Sequence, residues 1–231
     1  MLKAINLTKS YNEKKALNNV SFQVKRGEIY CLLGQNGAGK TTTINLFLGF
    51  IKADSGNALI DNKEIKSNKN YLKKKTAYIP EMVNLYDNLS GVENLGFFSH
   101  LAGLEYPKEQ LSEFLTNAGL QEKVHHQRLS TYSKGMRQKV GIAIAIAKNA
   151  DVIFMDEPTS GLDPKATAEF IKTCKKLALT GKTIFMATHD IFNAVNVGTT
   201  IGIMKEGALV QQIQTNGINA EQLKQLYLET I

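Results

Sequence analysis

At 231 residues, 43% hydrophobic and 21% charged, the chain has the balance of a globular protein with a sizeable core. Its longest nearly unbroken apolar run, Val140 to Ala147, is far short of the roughly 20 residues a membrane span needs, and "MLKAINLTKSY" has no apolar signal-peptide core, so a cytosolic chain is expected. The net charge of +7 and the basic run "YLKKKTAY" come without interleaved aromatics or a nucleic-acid module, so they read first as a solvated surface, second as proximity to an anionic membrane, and last as nucleic-acid binding.

In chain order, "LKAINLTKSY", "KALNNVSFQVKRGE" and "NALIDNKEI" alternate and carry turn signals at Lys25-Arg26-Gly27 and Asp61-Asn62, which predicts a small antiparallel sheet. Ile29 to Leu33, Val152 to Met155 and Thr183 to Ala187 read as buried parallel strands. Each ends in polar or glycine residues, at the edge where ligands bind in open α/β sheets. Helices are predicted at about 40–48 and 164–179, the second with Asp163 as cap, Pro164 at its first position and a stop near Gly181. From about 82 to 138, "SGVENLGFFSHLAGL" and "PKEQLSEFLTNAGL" interrupt the α/β alternation as short helices. The expected organisation is one domain, 1–231, with that helical insertion.

His125 and His126, in the polar stretch "QEKVHHQRLS", are expected at the surface. Residues 130–148 predict a helix capped by Ser133, with Val140, Ile144 and Ala147 on its buried face. A Ser-Lys-Gly opening onto a helix N-terminus also suits an anion. The residues after Gly207 read as a strand and a closing helix, too few for a regulatory domain. Cys31 and Cys174 fit no metal spacing and read as buried fillers.

The chemistry centres on "GQNGAGKTT", which fits G-x-x-x-x-G-K-[ST] between an apolar strand and a helix. Gly34, Gln35, Asn36, Gly37, Ala38 and Gly39 form a loop whose backbone N–H groups can turn around a β-phosphate. Lys40 reaches the β- and γ-phosphates, Thr41 is placed for Mg²⁺, and Thr42 can donate to a phosphate oxygen. A phosphate loop of this kind needs a metal-holding acid at the end of a neighbouring strand, and "DVIFMDEP" supplies Asp156 for it. Glu157, next to it, is placed to take a proton from the attacking water, an effect typically worth about 10²–10⁴ in rate. The guanine signature Asn-Lys-x-Asp is absent, which weakly favours adenine. Tyr11 has a π-face for a base, although its position alone is that of a packing residue.

In this order the motifs resemble those of the ATP-binding subunit of ABC transporters over essentially the whole chain. "GQNGAGKTT" is similar to Walker A, "VIFMDEP" to Walker B with its catalytic glutamate, Glu157, and "PTSGLDP" to the D-loop, with Asp163 as its acid. "ATHD" is similar to the H-loop, with His189 on the γ-phosphate, Tyr11 to the adenine-stacking A-loop residue, and "YSKGM" to the signature LSGGQ. The fold implied is α/β: a RecA-like P-loop NTPase core with an N-terminal antiparallel β subdomain and a helical insertion. The resemblance implies ATP and Mg²⁺ as cofactors and a head-to-tail homodimer around two ATP. Ser133, Lys134, Gly135 and Met136 would face the ATP of the second subunit. It also implies a separate transmembrane permease contacted through the insertion, a peripheral place on the cytoplasmic face of the membrane, and no nucleic acid.

Two motifs depart from the common pattern. Lys134 and Met136 replace a glycine and a glutamine of the signature, and Glu81 stands where many relatives have the Q-loop glutamine. Both resemble the branch serving ABC-2-type permeases, which tilts the reading towards export and gives Glu81 a role at the metal with Thr41 and Asp156. The alternative is a soluble ABC-type ATPase of translation or DNA maintenance, but the paired cassettes or long coiled-coil insertion of those types are missing. A P-loop kinase explains none of 132–136, 160–163 or 189.

Overall fold

A computed structural model describes residues 1–230. Two sheets share the chain. β1 (Leu2–Tyr11), β2 (Lys14–Val24), β4 (Ser55–Ile60) and the short β5 (Lys63–Glu64) form an antiparallel sheet in the order β2-β1-β4-β5. Before β4 come β3 (Ile29–Gly34) and α1 (Lys40–Phe47). After β5 follow α2 (Lys69–Lys75), β6 (Thr76–Ile79), α3 (Gly91–Leu101), α4 (Lys108–Asn117), α5 (Lys134–Ala147) and β7 (Val152–Asp156). The chain closes with α6 (Pro164–Leu179), β8 (Thr183–Thr188), α7 (Ile191–Val197), β9 (Thr200–Lys205), β10 (Ala208–Gln214) and α8 (Ala220–Thr230). The second sheet runs β10-β9-β3-β8-β7-β6, parallel except for β10 at its edge. The α/β class with an antiparallel subdomain and inserted helices is the one read from the sequence. β6 and β9 extend the parallel sheet beyond the three strands that the sequence predicts.

The parallel strands read as unbroken apolar runs because both faces are buried. Ile29, Cys31 and Leu33 of β3 alternate with Tyr30 and Leu32: the first set joins a core under α5, α6 and α7, the second a core under α1 and the antiparallel sheet. In that second core the rings of Phe22, Tyr30 and Phe185 stack at 5.2–5.5 Å, and Phe47 packs on Phe154 at 5.8 Å. Burying each large ring or aliphatic chain contributes about 1.5–3 kcal/mol. Both cysteines are fully buried in the first core, where burial pushes the Cys31 thiol up to about 12, so they act as apolar filler.

The predicted helix boundaries follow from local signals. Asp163 accepts from the Ala166 N–H at 2.9 Å, Pro164 opens α6, and Gly181, at φ 84°, follows its end. Ser90 and Glu93 form a capping box at α3. The insertion boundary expected near 138 falls inside α5, which runs unbroken and packs on α3 and α4 as well as on β6 and α6. Of the basic run, Lys75 pairs with Asp151 at 2.7 Å, while Lys73 and Lys74 face solvent.

One expectation is corrected. His126 is exposed, but His125 is buried, with Nε2 3.1 Å from the Leu120 carbonyl and its own carbonyl accepting from the Val92 N–H. The ring fills the junction of α3, α4 and the segment leading to α5. The polar letters around it hide this, because they line the outside of the turn. Among the described residues, no helix is long and apolar enough to cross a membrane.

Candidate nucleotide site

Three adjacent strands of the parallel sheet, β3, β8 and β7, end at one edge. β3 delivers the glycine-rich loop, β7 delivers Asp156 and Glu157, and β8 delivers His189 just past its end. The loop bends through Gly37 (φ 83°) and Gly39 (φ 105°), conformations that L side chains rarely adopt. A Cβ on Gly39 would also clash with the Ala16 carbonyl, so the start of β2 is held directly against the loop. Lys40 folds back over it, donating to the carbonyls of Gly34 (2.6 Å) and Gln35 (3.2 Å).

A cavity of about 380 Å³ lies over the loop, lined by Tyr11, Lys14, Ala16, Gln35, Asn36, Gly37, Gly39, Lys40, Thr41 and Thr42, with Glu81, Asp156 and Glu157 at one side. Gly34 and Ala38 support it from behind, both buried. Tyr11 is 47% exposed, so a ring face is open for stacking and the residue is no core packer. Lys14 and Ala16 were not singled out in the sequence. Their signal is their nearness to Tyr11 in the chain and the strand pairing that brings β2 to the loop.

The acids differ in their surroundings. The Thr41 hydroxyl donates to Asp156 Oδ2 at 2.8 Å. Burial pushes the Asp156 carboxyl above the usual carboxylate range. The Thr41 hydrogen bond and Lys40 work against this, and the charges of Glu157 and Glu81 add to it. Glu157 adopts φ 43°, a left-handed conformation that costs of order 1 kcal/mol or more in a non-glycine residue and clusters at functional sites. The turn is pinned by its N–H on the Ala187 carbonyl and its carbonyl on the Ser160 N–H. Its Oε2 lies 2.9 Å from His189 Nδ1 and accepts from the His189 N–H at 3.3 Å. Oε1 is buried 3.4 Å from Lys40 Nζ, with no hydrogen-bond partner among the described residues. The donors around Thr41 and Asp156 are all oxygen, which suits a hard divalent cation that keeps waters and phosphate oxygens. No group of three or more His, Cys, Asp or Glu among the described residues converges to hold a metal unaided.

Glu81 lines the same cavity but is tied elsewhere, and the remaining candidates lie outside it. Glu81 Oε1 accepts from the Ser160 hydroxyl at 2.8 Å and lies 3.9 Å from Lys134 Nζ. Ser133 is exposed and caps α5, accepting from the Met136 N–H at 3.3 Å. Gly135 is buried where its Cβ position would touch Ala166 of α6 at 3.1 Å, and the Met136 side chain packs against the core. None of residues 133–136 lines the cavity over the loop, and neither does Asp163. Ser160, unassigned in the sequence, bonds the Glu81 carboxylate through its hydroxyl and the Glu157 carbonyl through its N–H.

The raised Asp156 pKa has a consequence for stability. In the unfolded chain this carboxyl titrates in its ordinary range, so at neutral pH the folded state carries a cost for holding it ionised. That cost disappears as pH falls through the raised folded value. Asp156→Asn is expected to melt about 1–3 °C higher than the parent at neutral pH without nucleotide. The gap should narrow in mild acid. A lower melting point at neutral pH would contradict the burial argument.

Residues 17–160 match the protein family described as ABC transporter. The lantibiotic transport ATP-binding protein SrtF of Streptococcus pyogenes is 30% identical over 98% of this chain and 96% of its own length. The bacitracin transport ATP-binding protein BcrA of Bacillus licheniformis is 34% identical over 99% of this chain and 74% of its own. The fold is similar to the dimeric post-hydrolysis state of the ATP-binding cassette MJ0796 bound to ADP and Pi, with 30% identity and a TM-score of 0.83 over 94% of this chain and 100% of that one.

Proposed function

This chain belongs to the ABC transporter family as an ATP-binding subunit, and from that premise we propose that it pairs with a second ATP-binding subunit around two ATP molecules and powers a separate permease of the ABC-2 exporter type. The observation that carries the reading is the convergence of the phosphate loop, the Asp156–Glu157 pair and His189 on one sheet edge, with the capped anion-ready start of α5 left outside it. A helix start that faces no phosphate of its own chain suits the phosphate of another.

In this reading Tyr11 stacks on adenine and Gly34 to Thr42 hold the phosphates, Lys40 exchanging its carbonyl partners for phosphate oxygens. Thr41 and Asp156 hold Mg²⁺, with Glu81 able to add an oxygen. When bound, the ion neutralises charge on the β- and γ-phosphates. Glu157 accepts a proton from the attacking water; its Oε1 makes no hydrogen bond and faces only the Lys40 charge, 3.4 Å away. Lys40 and His189 both lie on Glu157 here. ATP draws the Lys40 ammonium and the His189 ring towards phosphate and leaves the Glu157 carboxylate free to face the water. Ser133 and the N–H groups near Gly135 contact the partner's γ-phosphate, so ATP favours the closed dimer and its hydrolysis reopens it.

The permease contact is assigned to the insertion. Tyr86, Phe97 and Phe98 form an aromatic cluster with ring centroids 4.9–6.3 Å apart, and Met82 and Leu101 of the same segment are exposed. Asn94 holds its base rigidly, bonding both the N–H and the carbonyl of Tyr86. The names of relatives, for bacitracin transport and lantibiotic transport, support a transport role, which we read as export powered from the cytoplasmic face of the membrane. The tagged chain is expected to capture a membrane protein from detergent-solubilised membranes of its own cell. Phe97→Glu should lose that partner while still dimerising with ATP; undiminished capture would move the contact elsewhere.

A further inference from the structure

Lys134 is the first residue of α5, directly after the cap Ser133. A cation there opposes the positive end of the helix dipole, so on local grounds the position calls for an anion. The same chain supplies one: Glu81 Oε1, 3.9 Å from Lys134 Nζ. The lysine reaches it across the D-loop, with Nζ 3.6 Å from the Cβ position of Gly161. The same glutamate oxygen accepts from Ser160 at 2.8 Å. One carboxylate therefore ties together the loop after β6, the loop after β7 and the start of α5. It stays within electrostatic reach of Asp156, whose carboxyl it pushes upward.

We propose that Lys134 is a positioning residue acting within its own chain, holding the Glu81 carboxylate on Ser160 and away from Thr41 and Asp156, rather than a grip on the phosphate of a second subunit. The inference rests on the ATP-sandwich reading above. Three carboxylates, Glu81, Asp156 and Glu157, crowd this region. Without a cation they repel, and Lys134 with Ser160 gives one of them a separate resting place. ATP and Mg²⁺ reverse that preference by giving Glu81 a cation to approach. The Glu81–Lys134 pair thus belongs to the open state, and closure has to break it.

The test follows ATP-driven dimerisation by sedimentation in the Glu157→Gln chain, where hydrolysis does not intervene. Adding Lys134→Gln is expected to lower the ATP concentration for half-maximal dimer about two- to fivefold at low salt, the scale of an exposed ion pair. The gap should close at high salt. Lys134→Arg should behave as the parent, and in a Glu81→Gln background Lys134→Gln should have no further effect. A higher ATP requirement for Lys134→Gln is the signature of a lost phosphate grip and overturns the proposal. So does no shift, or a shift of equal size without Glu81. If the Glu157→Gln chain itself forms no dimer at any ATP concentration, the sandwich reading falls, and this inference with it.

Discussion

Glu157→Gln is expected to lower ATP turnover by about 10²–10⁴, the range for loss of a positioned general base, and to accumulate a dimer that persists while ATP is present. Glutamine keeps the shape of the side chain and can still accept from the His189 N–H, but it cannot take a proton from water. The turn should survive, because it is held by main-chain bonds to Ala187 and Ser160 rather than by the carboxylate. Losing the charge also removes the ion pair to Lys40 and weakens the contact with the His189 ring, so both side chains become freer to meet phosphate and nucleotide binding should be unimpaired or tighter. Single-turnover hydrolysis with light scattering reads both effects together. Hydrolysis at the parent rate would remove Glu157 from the role of base. Slow hydrolysis without a dimer would keep the base and discard the sandwich.

What the sequence made legible is what local physics encodes. The phosphate loop, the caps at Ser133 and Asp163 and the doubly buried strands depend on neighbours a few residues away, and the structure has them where the letters predict. β6 was not read because its four residues follow a lysine-rich helix and its partner β7 lies beyond the whole insertion. His125 was read as surface because burial at a junction of three segments leaves no period in the chain. Glu81 is the plainest case: its hydroxyl partner is 79 residues away, and no spacing rule connects them. The same limit applies to Ser160 and Lys134. Their roles come from which loops the parallel sheet brings to one edge.

Ser133→Arg carries the other large expected effect. Ser133 is exposed, its hydroxyl accepts only from the Met136 N–H, and the α5 N-terminus behind it offers unpaired N–H groups to an anion. Arginine removes the cap, worth about 1 kcal/mol, and sets a bulky side chain where a second subunit must approach. The phosphate loop of the same chain is untouched, since residues 133–136 do not line its cavity. Turnover is therefore expected to fall about 10²–10³, the loss typical when preorganised donors to developing charge are removed. Nucleotide binding by the monomer, read by equilibrium dialysis, should stay at the parent value. Ser133→Ala separates the two causes, because it loses the cap without the bulk: it should melt slightly lower and retain ATP-dependent dimerisation in part. If Ser133→Arg instead kept full turnover, each chain would hydrolyse ATP alone. The exposed helix start would then be only a well-capped helix, and ATP would have to drive the permease without being enclosed between two subunits.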